Sequence, residues 1–165
     1  GINYGTSQNL LCGEPFIHDH KEIWIYYNAL RFRGPMEFYD NQYHPYFDDA
    51  SALCVAKLRL DGFVSLDAQG EGEIISKPFE ITEGELFVNV NAAAGQLRAE
   101  VLDANTMMPI SGLKISQCDF VTEDNINLRV NWSGKTQIKV ENPVRIRFQL
   151  NDAKLYAFWI KQIER

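Results

Sequence analysis

From residue 86 onward the chain alternates. Leu86, Val88 and Val90 are interleaved with Phe87, Asn89 and Asn91, and Leu97, Ala99 and Val101 with Arg98, Glu100 and Leu102. Ile126, Leu128, Val130 and Trp132 follow the same rule, as do Val144, Ile146, Phe148 and Leu150. A period of two puts successive side chains on opposite faces of an extended strand, one face buried and the other wet. Gly84, Gly95, Asp103–Asn105, Gly112, Gly134 and Asn151-Asp152 punctuate the pattern with turn residues. Many short strands separated by turn signals predict an all-β fold, a two-sheet antiparallel β-sandwich of jelly-roll or concanavalin-like type. No ten-residue segment carries a convincing helical stripe.

The region before residue 61 has a different texture. "EIWIYYNA" (Glu22 to Ala29) is aromatic and β-branched and predicts a strand, and "SALCVAKLRL" (Ser51 to Leu60) predicts another. Between them, residues 30 to 50 hold two prolines and a run of Phe and Tyr with no clean period. That reads as a long aromatic loop, and loops of this length are often functional. All three histidines, His18, His20 and His44, lie in this first part. The two parts meet in "KLRLDGFVSLDA", Lys57 to Ala68, where Asp61-Gly62 separates two apolar runs. Asp-Gly there is a hairpin signal, with Phe63 to Leu66 as the returning strand. The change in texture also makes it a seam, with a β segment over residues 1–60 and a sandwich over 61–165. Gly70-Glu71-Gly72 is too short of P-loop features to hold a phosphate and reads as a turn.

Composition narrows the partners. The formal charge is -6 over 165 residues, with a sequence pI of about 5.1. Nucleic acids and anionic membrane surfaces call for a basic face, so neither is expected as a partner. At this length roughly 70% of the unfolded surface can be buried, so neither a disulfide nor a metal is needed for stability. Cys12, Cys54 and Cys118 are widely spaced, with no C-x-x-C pair, and read as small hydrophobes. The chain opens on Gly1 rather than Met, so its start gives no compartment.

Several constellations bear on chemistry. His18 and His20 would share one face of a strand, but zinc needs a third or fourth ligand. Asp103, Asn105, Asp119 and Asp124 offer hard oxygens for a structural Ca²⁺, although turn formation uses the same residues. No cofactor is expected otherwise. No G-x-S-x-G elbow or Cys–His spacing marks a nucleophile. The acids Glu14, Asp19, Glu22, Asp40, Asp48 and Asp49 include no obvious glycosidase pair. Aromatic side chains are the strongest signal. Sugars present flat C–H faces to such rings while their hydroxyls bond to Asn, Asp, His and Arg. Trp24 and Trp132 fit apolar faces and read as core. The loop tyrosines serve equally as core or binding residues. The candidate ligand-binding residues are Tyr26, Tyr39, Tyr43, His44 and Asp48.

"SALCVAKLRLDGFVSLDA" resembles the stretch that closes the last blade of five-bladed β-propeller glycoside hydrolases of the invertase, levanase and arabinanase type and their bacterial relatives. Ala56, Leu58, Arg59, Asp61, Gly62, Phe63, Val64, Ser65 and Leu66 match that pattern. Upstream, Gly13, Pro15, Trp24, Tyr26 and Tyr27 match the start of such a blade. Downstream, "KPFEITEGELFVNVNAAAGQLRAEVLDAN" and "PVRIRFQLNDAKLYAFWI" are similar to the sandwich that follows it. The resemblance covers most of residues 11 to 160. It implies a single blade ahead of a C-terminal β-sandwich, and no catalytic residue, because the relatives draw theirs from earlier blades.

Three functions follow as expectations. The first is a non-catalytic carbohydrate-associated module that binds an oligo- or polysaccharide. The second is a structural domain that forms a homodimer, since a lone blade has open edges to cover. The third, a small glycosidase, would need an acid pair the sequence does not reveal.

Overall fold

The computed structural model describes residues 8–30 and 51–162. The chain divides into two compact units, residues 1–60 and residues 61–165. Among the described residues every strand pairing is antiparallel, and the strands form two sheets, neither closed into a barrel.

In the first unit the described strands are β1 (Gln8–Leu11), β2 (Phe16–His18), β3 (Glu22–Leu30) and β4 (Ser51–Arg59). β3 is central. It pairs with β4 along its whole length, and on its other edge with β2 and then β1 end to end. Asp19 and His20 both adopt positive φ, 49° and 55°, and the Lys21 N–H bonds the His18 carbonyl at 3.0 Å. Two left-handed residues in succession make a turn whose twist matches the flanking strands. His20 therefore sits in the turn and does not share a strand face with His18, as the sequence spacing suggested. Among the described residues of this unit only Ala29 is a buried hydrophobic.

The seam is not a hairpin. β4 ends at Arg59 and pairs with β3, whereas the next strand, β5 (Leu66–Ile75), pairs in the second unit. Asp61 takes a φ of 51°, and the run expected to return as a strand is a connector in which Phe63 and Val64 are exposed. An Asp-Gly turn closes a hairpin only when the following strand finds the preceding one, and β5 has a longer partner elsewhere.

The second unit is the β-sandwich. Its remaining strands are β6 (Glu83–Asn91), β7 (Gln96–Asp103), β8 (Asp124–Arg129), β9 (Gln137–Lys139) and β10 (Val144–Lys161). β10 is the strand that joins the others of this unit. Its first half lies between β5 and β7, and its second half between β5 and β6, which carries β8 and β9. Asn151-Asp152, expected as a turn, is instead a bulge within this strand. The ladder shifts between Asn151 and Ala153, and Asp152 sits at φ 46°. The Asp152 carboxylate accepts the Gly70 N–H at 2.8 Å, and Gly70 has φ 79°, so "GEG" is strand around a bulge and not a free turn.

Alternation delivers the core as expected. Leu86, Val88, Val90, Leu97, Ala99, Val101, Val144, Ile146 and Phe148 are all buried in one cluster. At the bulge the inward set of β10 changes from Ile146, Phe148 and Leu150 to Ala153 and Leu155, and a second register shift between Leu155 and Ala157 returns Phe158 and Ile160 to the face of Val88 and Leu86. Trp132 is buried, and its indole N–H donates to the Ala99 carbonyl at 2.8 Å, tying the segment after β8 to β7. A buried indole satisfied in this way is core, as its sequence position implied.

Candidate functional site

On the small sheet, residues directly opposite each other share a face. Phe16, His18, Trp24 and Tyr26 therefore point the same way, with Val55 and Lys57 beside them. The His18 ring lies on Trp24 at 3.9 Å and 9°. Lys57 Nζ sits 4.2 Å from a Trp24 ring centre, reaching it from β4 while His18 comes from β2. The indole N–H donates to Glu22 at 2.7 Å. Trp24 is thus engaged from both neighbouring strands and at its polar edge, which leaves little of it for a ligand. Tyr26 and Phe16 are the available rings, 37% and 45% exposed and nearly parallel to each other at 6.0 Å. Leu53 and Val55 extend this surface as exposed apolar groups.

Of the five candidate ligand-binding residues, the structure places Tyr26. Tyr39, Tyr43, His44 and Asp48 lie outside the described residues. Among the described residues no group of three or more His, Cys, Asp and Glu is arranged to hold a metal ion. Asp103 is occupied by its own turn, accepting the N–H groups of Asn105 at 3.0 Å and Thr106 at 2.9 Å. The Thr106 N–H foremost, with Asn105, the Thr106 hydroxyl and Asn142, holds this carboxyl below its ordinary 3.8. Asp119 accepts from the Asn131 side-chain amide.

A third feature, which the sequence reading did not single out, lies on the polar face of the sandwich strands. A cleft of about 490 Å³ crosses β5, β10 and β7. Register sets its walls. Glu73, Gln149 and Arg98 form one row across the three strands, and Glu71, Asn151 and Gln96 form the next. These are the polar members of the same alternation that buries Phe148 and Leu97. Beyond the first row, the Arg147 guanidinium lies 2.7 Å from the buried Glu100 and 3.6 Å from Glu73. Glu100 also accepts the Ile115 N–H at 3.0 Å, so its charge is fixed from two sides. Arg98 stacks on the ring of Phe120 at 4.7 Å, and Phe120 is 57% exposed. Gly95, next to Gln96, lies so close to Asn151 that a Cβ there would overlap the Asn151 carbonyl.

Chemically the cleft is graded. The β5 wall is acidic and accepts hydrogen bonds. The β10 floor has amides that both donate and accept. The β7 wall donates through Arg98 and has one more amide. The volume lies in the range of roughly 300–1,000 Å³ of small-ligand sites, and the lining is more polar than in most of them. The sequence signal was present in three polar-x-polar pairs, Glu71-x-Glu73, Gln96-x-Arg98 and Gln149-x-Asn151. Each looks like an ordinary solvated strand face until the register joins them. Cys118, the buried thiol, is not a nucleophile at neutral pH, since burial pushes it up to about 11.

No protein-family model, curated protein or solved structure matches this chain.

Proposed function

We propose that this chain is a non-catalytic carbohydrate-binding β module, akin to the C-terminal part of propeller glycosidases. The observation that carries the reading is the cleft over β5, β10 and β7, with six polar side chains from three adjacent strands and an exposed ring nearby. A sugar hydroxyl both donates and accepts, and so suits a surface that offers carboxylates, amides and a guanidinium in neighbouring rows. Phe120 adds a flat apolar face close to Arg98 for the C–H side of a ring. Calorimetric titration of the chain with plant and bacterial oligosaccharides tests this. Saturable binding that Gln149→Ala and Asn151→Ala weaken is expected, and no heat with any of them would refute it.

A second reading rests on the small sheet. Phe16, Tyr26, Leu53 and Val55 expose apolar surface on one face of it, and contiguous patches of this kind mark docking between chains. On this reading the chain forms a homodimer through that face. Sedimentation of wild type against Leu53→Asp tests it. A monomer at all concentrations would dismiss it.

A further inference from the structure

We infer that the cleft takes an uncharged stretch of glycan and discriminates against acidic sugars, an inference that rests on the cleft being a glycan site. Opposite charges stand on opposite walls of the cleft, Glu71 and Glu73 on β5 and Arg98 on β7. Glu71 and Glu73 are two apart on β5 and point the same way, roughly 6–7 Å from each other along the strand. A carboxylate over the β10 floor sits one strand spacing, about 5 Å, from the β5 wall, within the Debye length of about 8 Å at physiological salt.

The available cations do not offset this. Arg147 lies against Glu100 and Glu73 and is committed to them. Arg98 is held over Phe120, 4.7 Å from its ring centre. Counting Glu71, Glu73 and Glu100 against Arg98 and Arg147 leaves three negative groups and two positive. The chain as a whole is also acidic, at -6.

Hydrogen-bond direction gives the same answer independently of net charge. A hydroxyl can donate to the β5 carboxylates and accept from the β7 donors at once. A uronate carboxylate can only accept, so it satisfies the β7 side and leaves Glu71 and Glu73 facing it without a proton between them. Acidic sugars therefore lose twice, through repulsion and through unmet acceptors.

Titration of the intact chain with neutral xylose and glucose oligomers and with galacturonate oligomers of equal length tests the inference, at low and at high salt. For the wild type, the tightest neutral oligomer should bind at least about tenfold more strongly than the galacturonate oligomer at low salt. The Glu71→Gln, Glu73→Gln double variant should narrow that gap several-fold, raising galacturonate binding while the loss of two carboxylate acceptors weakens neutral binding. Circular dichroism checks the fold of the double variant. Glu71→Gln alone serves if it unfolds, since Glu71 makes no ion pair among the described residues. Galacturonate binding as tight as neutral binding in the wild type, or a gap the variants leave unchanged, overturns the inference and spares the glycan reading. Binding by neither class overturns both.

Discussion

Glu100 and Arg147 pair across neighbouring strands, with Oε1 2.7 Å from Nε and the carboxylate almost wholly buried. The other carboxylate oxygen accepts the Ile115 N–H, so one buried charge organises both β10 and the segment leading to Cys118. Removing one partner of such a pair leaves the other desolvated and alone. Arg147→Ala should therefore cost about 3 kcal/mol of stability, read from the midpoint of urea unfolding. Replacing both residues together should cost less than the sum of the single changes, because the uncompensated charge goes with its partner.

The two units differ in how much core they own. The buried cluster runs from Leu86 to Leu155 and lies wholly within the sandwich. The described part of the first unit buries only Ala29 among its hydrophobic residues. Residues 61–165 expressed alone should unfold in a single cooperative transition by heat, whereas residues 1–60 alone should show none.

Gly95 stands where the tip between β6 and β7 meets the bulge of β10. Gly95→Ala sets a Cβ against the Asn151 carbonyl and against Asp152, both backbone and side chain of the bulge. Destabilisation of about 1–3 kcal/mol follows from forced overpacking. Ligand binding at the cleft should weaken as well, since Asn151 and Gln96 lie on either side of the contact. Gln96→Ala, by contrast, should weaken binding with little change in melting temperature, and the pair of measurements separates the two effects.

Thiol reactivity provides a check on burial. Cys12 is exposed, while Cys118 is buried with its thiol pushed up to about 11 by desolvation. In the native protein at neutral pH, iodoacetamide should label Cys12 readily and Cys118 only after unfolding. The raised value also fixes a sign. Its contribution to stability is complete below the ordinary 9.0 and is lost as pH rises through about 11. Cys118→Ser should flatten the alkaline limb of a stability profile.

The Asp67–Lys154 pair, 2.8 Å apart across β5 and β10, gives the acid side. The hydrogen bond from Lys154, then that from Ser65, lowers the Asp67 carboxyl below its ordinary 3.8. A depressed acid contributes above its ordinary value and loses that contribution as pH falls through the lowered one. The same hydrogen bond raises Lys154 above 10.5, so its share is lost only as pH rises beyond that. Asp67→Asn should therefore make the melting temperature less sensitive to acid below about pH 4, and leave its shape near neutrality unchanged.

Strand content was legible wherever one face had to be buried. Leu86 to Val90, Leu97 to Val101 and Val144 to Leu150 are dictated by a period of two, and the structure buries those residues. What could not be read was where the chain turns and where it merely bulges. Gly70 and Asp152 are residues that any turn would use, and only a hydrogen bond between groups 82 positions apart makes them a bulge in a continuing ladder. Asp61-Gly62 posed the same ambiguity, and partner choice by β5 decided it. The cleft was hidden for a related reason. Gln149 is unremarkable beside Phe148 until register sets it between Glu73 and Arg98.

The bulge at Asp152 also constrains how this protein can change length. Loops between strands can gain or lose a residue with little effect on what lies either side. β10 cannot, because the single left-handed residue at Asp152 is what turns Ala153 and Leu155 inward after Leu150. Deleting one residue there would expose that apolar pair and bury Lys154 in its place, with the partner of Asp67 carried into the core. Descendants of this chain can therefore diverge in loop length but must keep the residue count between Phe148 and Leu155, and an alignment of true relatives should show that interval free of gaps.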